Sequence, residues 1–219
     1  MNLEQARFNM VEQQVRTWEV LDPRVLSVME ETPREAFVPP SHAKLAYADL
    51  EIPLGYGESM MRPNVEGRLL QALEIQAHDV VLEVGTGSGY VTACLAKLAA
   101  HVESVDIHQD FTQAARRRLR EHALFNITLH TGNAAEGWKA GRHEKYDVIA
   151  LTASMARYRH VFEQQLNVGG RLFVVVGEPP VMEARLVTRL GEREFTHQRL
   201  FETCLKPLVG LEARPRFVF

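Results

Sequence analysis

The sequence predicts a doubly wound α/β fold, and three observations carry that expectation. An apolar run, Val80 to Val84, passes straight into glycines at alternate positions, Gly85, Gly87 and Gly89. A second apolar run ends on Asp106, about twenty residues further on, the separation at which an acid meets ribose hydroxyls. Strand-like and helix-like segments then alternate, which implies a parallel sheet with helical crossovers. Glycines belong at the first turn because the chain there must take backbone angles that side chains forbid and must approach a bulky ligand.

The elements follow in chain order. Ala6 to Arg16 is helical in pattern. Asp22-Pro23 opens a second helix, the aspartate as cap and the proline in the first turn, and Thr32-Pro33 stops it after about Glu31. The segment AFVPPSHAKLAYADLEIPLGYGESMMRP is too rich in proline and glycine for a long helix or strand, so it reads as a loop region wrapped on the core. Asn64 to Leu73 is helical again. Strands are expected at Val80 to Val84, Val102 to Asp106, Ile127 to His130, Tyr146 to Leu151 and Arg171 to Val176. Helices are expected between them at Tyr90 to Ala99, Asp110 to His122 and Arg157 to Leu166. From Ala184 to Phe219 the residues alternate, suggesting two antiparallel strands at one edge. No repeat or second boundary is visible, so residues 1–219 read as one domain, 1–78 helical and loop-rich and 79–219 the Rossmann-like core.

Composition narrows the function classes. At 46% hydrophobic and 24% charged, the chain reads as globular rather than disordered. A net charge of -3 argues against a strongly electrostatic nucleic-acid binder, which needs a basic surface to neutralise phosphates. The run Arg116, Arg117, Arg118 and Arg120 is the exception, but Ala114, Ala115, Leu119 and Ala123 supply an apolar stripe, so the arginines read as a solvated helix face. The opening residues show no secretory pattern, and no apolar run nears the roughly twenty residues of a membrane span, so a cytoplasmic protein without membrane association is expected. Cys94 and Cys204 lack metal-ligand spacing and read as reduced core or near-core residues. The histidines form no HxxxH or Cys/His cluster; His101 and His108 flank a buried strand without a third ligand, and no metal is expected.

The glycine spacing selects among cofactors. A dinucleotide fingerprint wants a small residue three positions after Gly87, where this chain has the large Tyr90. The GxGxG spacing with Glu83 before it resembles the S-adenosylmethionine (AdoMet) motif of Rossmann-like methyltransferases. A longer resemblance runs from about Phe8 to Gly177 through MVEQQVR, DPRVLSVME, PREAFVP, AYADLEIPLGYG, VLEVGTGSGYVTACLA, TGNAAEGW, YDVIALTAS and QQLNVGGRLFVVVG, with KPLVGLEA near the end. In these motifs the chain is similar to the protein-L-isoaspartate O-methyltransferase family.

That resemblance implies a seven-stranded AdoMet-binding fold with a small N-terminal helical region on the substrate side. It implies methyl transfer to the free α-carboxylate of an isoaspartyl residue in damaged peptides or proteins, S-adenosyl-L-homocysteine as product, and a monomer or weak homodimer. Carried over by position, Glu83, Gly85, Thr86, Gly87 and Gly89 would line the methionine half of the cofactor, Asp106 and Ile107 the ribose, and Asn133 and Ala134 the adenine. Two departures stand out. Ser59-Met60-Met61-Arg62-Pro63 occupies the place of a TISQP-like segment, so Met61 replaces a serine, and Asn133 replaces an aspartate.

Methylating a carboxylate needs no acid-base dyad, because an aspartyl-type carboxyl with a pKa of about 4 is already ionised near neutral pH. Positioning and exclusion of water are the requirements. Two readings of the departure stay open: Ser59 or Arg62 contacts the acceptor, Arg62 through a paired hydrogen bond, or Met60 and Met61 form an apolar wall for another acceptor or none. Thr152 and Ser154 stand at the carboxyl edge of the sheet, facing the acceptor or capping the next helix. Tyr56 reads as a packed turn aromatic, and Trp18 and Trp138 as core or loop anchors. A methyltransferase with a different acceptor and a non-catalytic AdoMet-binding protein are the alternatives; a nicotinamide dehydrogenase is disfavoured by Tyr90.

Overall fold

Strands β3 (Val80–Val84), β4 (His101–Asp106), β5 (Ile127–Thr131), β6 (Tyr146–Met155), β7 (Leu166–Glu178), β8 (Val181–Arg189) and β9 (Phe195–Thr203) make one sheet in the computed structural model, which describes residues 2–213. Their order is β5-β4-β3-β6-β7-β8-β9, parallel from β5 to β7 and antiparallel through β8 and β9. The order reverses between β3 and β6, and in an open α/β sheet the crevice beyond the carboxyl ends at such a reversal is where ligands sit.

Both faces of the sheet are covered, and the strand residues divide between them with period two. Val81, Val102, Val148, Ala150, Phe173 and Val175 enter one core, with residues of α4 (Tyr90–Leu98) and α5 (Gln109–Glu121) and of the N-terminal elements. Leu82, Val84, Val105, Ile149, Leu151 and Val174 enter the other, with Trp138 and Phe162. This second face corrects one expectation. The helix expected over Arg157 to Leu166 is only the short α6 (Val161–Gln164). β7 already begins at Leu166, and the register shift between Tyr146 and Val148 absorbs the Gly169-Gly170 stretch as an irregularity of the strand. Trp138 and the segment around it supply the cover that a longer helix would have given.

The N-terminal region is helical as expected: α1 (Leu3–Asn9) continues through a π-helical and then a 3-10 turn to Trp18. Helix α2 (Pro23–Glu31) is capped by Asp22, whose carboxylate accepts from Arg24 N, and α3 (Pro63–Ala72) follows the loop region. Within that loop the structure adds a hairpin, β1 (Ile52–Gly55) with β2 (Glu58–Met60). Such short strands, one holding a proline, leave no alternating run to read. Fully buried Arg34 stitches the region together, its guanidinium paired with Glu66 at 3.1 Å and donating to the carbonyls of Ala46 and Met61. Burial pushes the Glu66 carboxyl up to about 7 even beside Arg34.

The C-terminal antiparallel edge is β8 and β9; residues 214–219 of the expected span lie outside the described residues. Beyond β9 the chain returns to β6, where Ser154 N donates to Lys206 O and Leu208 N to Ser154 O. Cys204 is exposed, which corrects the expected near-core setting, and so is Trp18 at 42%. Arg118 departs from the solvated arginine face: it is half-buried and donates to Ser88 O at 3.0 Å.

Candidate active site

A cleft with about 640 Å³ of open space lies at the β3/β6 switch point, between the glycine turn and two outer walls. One wall is the β1–β2 hairpin, through Leu54, Glu58 and Ser59; the other is the returning C-terminal segment, through Pro207, Leu208 and Val209. Gly85, Gly87, Asp106, Ile107, His108, Asn133, Ala134 and Thr152 make the floor and far end. A smaller pouch shares Leu54, Ser59, Gly85, Gly87 and Thr152 with it and extends to Met60, Met61, Thr86 and Ser88.

The three glycines have different reasons. Gly85, at φ 103°, faces Thr152, whose hydroxyl would meet a Cβ, and Gly87, at φ 49°, has Leu54 3.3 Å from where a Cβ would stand. Both open on the cleft. Gly89, at φ 86°, is buried, with a Cβ position 2.9 Å from that of Ala115 on α5. Its lack of a side chain lets α4 start against α5, and it is not among the residues that line the cleft.

Glu83 is also not among the residues that line the cleft. Its side chain is fully buried behind the turn, accepting from Thr92 Oγ1 at 2.5 Å and Ser104 Oγ at 2.6 Å, while Ser104 also bonds Thr86 Oγ1 at 2.6 Å. Burial pushes its carboxyl up to about 8, against the hydrogen bonds from Ser104 and Thr92. Oε1 has no partner among the described residues. This carboxyl under the turn braces Thr86 through Ser104.

Asp106 lies at the end of β4 beside the turn, accepting from Gly87 N at 2.8 Å through Oδ2 and from His108 N at 2.9 Å through Oδ1. Burial raises its pKa, and the two backbone donors counter it. Each oxygen keeps a lone pair for a further donor. Ile107 is 39% exposed beside it, offering an apolar surface to a base. Asn133 closes an Asx turn, its Oδ1 accepting from Ala135 N at 2.8 Å, next to buried Ala134.

The acceptor-side residues separate. Ser59 borders both the cleft and the pouch, and its hydroxyl donates to Glu51 at 3.0 Å. Met60 and Met61 are buried pouch walls. Arg62 does not join them: it faces a separate depression with Trp18, Glu51, Asn64, Glu202 and Cys204. Glu51 links the two regions, lining the depression and accepting from Ser59. Thr152 lines the cleft but gives its hydroxyl to Gly85 O at 2.7 Å, while buried Ser154 donates to Leu205 O and fixes the C-terminal wall.

Sequence reasoning named no site role for Glu58, His108 or Pro207 to Val209. The KPLVG motif was visible, but its place over the cleft comes from tertiary bonds, to Ser154 and Ala156 among others. Lys206 Nζ meets Glu58 Oε1 at 2.5 Å and Gly57 O at 3.2 Å, tying the two outer walls together. Tyr56, 60% exposed, stacks on His108 at 4.3 Å and donates to Asp110. No group of three His, Cys, Asp or Glu side chains among the described residues is arranged to hold a metal, and no described helix is long and apolar enough to cross a membrane.

The groups present fit AdoMet: a glycine cradle that Cβ atoms would fill, a carboxylate with free lone pairs to accept from hydroxyls, and an apolar shelf beside it. Comparison with known proteins agrees. Residues 5–213 match the family described as protein-L-isoaspartate(D-aspartate) O-methyltransferase. The chain is 36% identical over 204 residues to the protein-L-isoaspartate O-methyltransferase of Rhodopseudomonas palustris, covering 93% of each, and 37% identical over 205 residues to that of Methanoculleus marisnigri, covering 93% of this chain and 91% of the other. Its fold is similar, with a TM-score of 0.77 at 17% identity, to a Plasmodium falciparum chain named for the same activity and solved with S-adenosyl-L-homocysteine; the match covers 92% of this chain and 97% of that one.

Proposed function

Because the chain belongs to the protein-L-isoaspartate(D-aspartate) O-methyltransferase family, we propose that it methylates the free carboxylate of L-isoaspartyl residues in proteins or peptides. The observation that carries the reading is the Gly85–Gly87 cradle with Asp106 beside it, continuous through Ser59 with the Met60–Met61 pouch. AdoMet supplies an electrophilic methyl group: a carboxylate oxygen gains the bond to carbon, the sulfur keeps the electron pair of the broken bond, and the products are a methyl ester and S-adenosyl-L-homocysteine.

The chain's own residues bind, orient and exclude water. Asp106 accepts from the ribose hydroxyls, Ile107, Asn133 and Ala134 flank the adenine, and the bare backbone at Gly85 and Gly87 admits the methionine portion. Met60 and Met61 keep water from the reacting oxygen, which needs no base because it is already ionised. Ser59 turns its hydroxyl from Glu51 to the acceptor carboxylate, a modest donor that holds the nucleophile without over-stabilising its charge. Arg62 holds the chain flanking the isoaspartate, in the depression with Trp18 and Glu51. Within the described residues 2–213, those up to 78 thus form the acceptor side of a single domain and those from 79 its cofactor side.

The methyl ester can expel methanol where the carboxylate would have to expel hydroxide, so the neighbouring backbone amide nitrogen attacks the ester carbon, loses its proton as methanol leaves, and closes a succinimide that water opens partly to normal aspartate, which is repair. A cytoplasmic monomer or weak homodimer, free of nucleic acid and membrane, is the setting we propose; its net charge of -3 supports the nucleic-acid part. The apolar Met60–Met61 wall favours a second reading, a different acceptor for the same cofactor. Transfer of labelled methyl to an isoaspartyl peptide and its aspartyl counterpart separates them: selective labelling of the first is expected, and none, with cofactor bound, would move the assignment to the second.

A further inference from the structure

Glu103, on β4, is fully buried and plays no part in the cleft, yet a whole surface segment converges on it. Arg142 N donates to its Oε1 and Oε2 at 3.0 and 3.1 Å, His143 Nδ1 lies 2.7 Å from Oε1, His130 Nε2 3.2 Å from Oε2, and the Tyr146 hydroxyl 3.4 Å from Oε2. Burial pushes the Glu103 carboxyl up, but the bonds from His143 and Arg142 and the nearby histidines win, and its pKa lies below the usual value. It is therefore a buried anion whose partners come from the end of β5, the following connection and the start of β6.

That connection begins with Gly132, Asn133 and Ala134, the residues at the far end of the cleft. Its first residues pack against its middle, at Trp138. The His130 ring lies 5.2 Å from that of Trp138, and a Cβ on Gly132 would stand 3.0 Å from the same indole. Gln165 holds the Trp138 backbone, its amide oxygen accepting from the backbone N–H at 3.0 Å and its amide nitrogen donating to the carbonyl at 2.6 Å. Gly141 must lack a side chain, since a Cβ would run into Glu103 Oε2 and the Tyr146 hydroxyl. Because β4 also carries Asp106, one strand fixes both the ribose acceptor and, through Glu103, the adenine-side segment.

We propose that Glu103 is a positioning residue for the cofactor, holding Asn133 and Ala134 in register with Asp106 through His130, His143 and the Arg142 amide; the proposal rests on the AdoMet reading of the cleft. The alternative for such a cluster is general stabilisation of the fold, and the two differ in what a variant changes. Positioning affects AdoMet binding while leaving acceptor binding and turnover at saturation untouched.

The test uses the full chain and its Glu103→Gln, His143→Ala and Gly141→Ala variants. The expected result is a rise of about 10-fold in the dissociation constant for S-adenosyl-L-homocysteine by calorimetry for Glu103→Gln, within the range usual for coupled sites, with smaller rises for the other two. KM for AdoMet should rise with it, while kcat and KM for the isoaspartyl peptide stay put. Should Glu103→Gln fail to fold, the same split in the two loop variants carries the test. Unchanged cofactor affinity in the folded variants, or parallel losses in both KM values and kcat, would overturn the proposal. Wild-type protein that binds no S-adenosyl-L-homocysteine would instead overturn the reading of the cleft.

Discussion

At the scale of single residues, the carboxyls of this chain are sorted by burial into different tasks. Asp106 accepts two backbone N–H groups at the cleft. Its replacement by alanine removes the ribose acceptor and orphans those donors, so S-adenosyl-L-homocysteine affinity should fall by roughly 10- to 100-fold, hydrogen bonds to a charged group being worth about 1.5–3 kcal/mol; calorimetry checks this. Arg62→Ala should instead raise KM for an isoaspartyl peptide and leave cofactor affinity unchanged, because Arg62 faces the separate depression. Glu83 is the buried brace, its folded pKa raised to about 8. Its unfolded value is about 4.3, so the native state binds the extra proton between these values. The stability that Glu83 contributes is present in full below the unfolded value and is lost as pH rises through about 8. Glu66, raised to about 7, acts in the same direction. Urea midpoints at about pH 4 and about pH 8.5, either side of that window, should therefore differ less in Glu83→Gln than in the wild type.

At the scale of elements, the glycine turn depends on its neighbours as much as on its own sequence. Gly89 sits at φ 86° against Ala115, so Gly89→Ala combines left-handed strain with an α4–α5 clash. It should lower stability by about 1–3 kcal/mol, read as a lower melting temperature, with cofactor affinity disturbed less than by Asp106→Ala. The strands of this body were legible because each is an apolar run closed by a turn residue, a signal held within a few neighbours. The β1–β2 hairpin was not, since its short strands include Pro53 and its turn holds Tyr56 at φ 55°. The helix expected over Arg157 to Leu166 was over-read for a related reason. Its apolar residues, Phe162 and Leu166, are buried on the second face of the sheet, but Leu166 does so as the start of a strand.

At the scale of the whole molecule, the cleft is closed by pieces far apart in the chain. The hairpin and the C-terminal segment meet through Lys206 and Glu58, an exposed pair that adds little to stability. Lys206→Met should leave the melting temperature nearly unchanged while speeding dissociation of S-adenosyl-L-homocysteine in stopped-flow, because the contact joins the two outer walls rather than the core. An unchanged off-rate would show that the walls hold without it.

The sequence by itself determined the family, the alternation of strands and helices, the glycine turn and the acid that follows it, because these depend on the order of residues along a short stretch of chain. Only the tertiary structure decided which of those residues face the cleft. Glu83 and Gly89 belong to the motif yet do not line it, Arg62 is turned from Ser59 toward Trp18, and Glu103 gathers His130 and His143. The reason is physical: a motif fixes backbone conformation locally, whereas the direction and burial of a side chain are set by packing against segments that the sequence places tens of residues away.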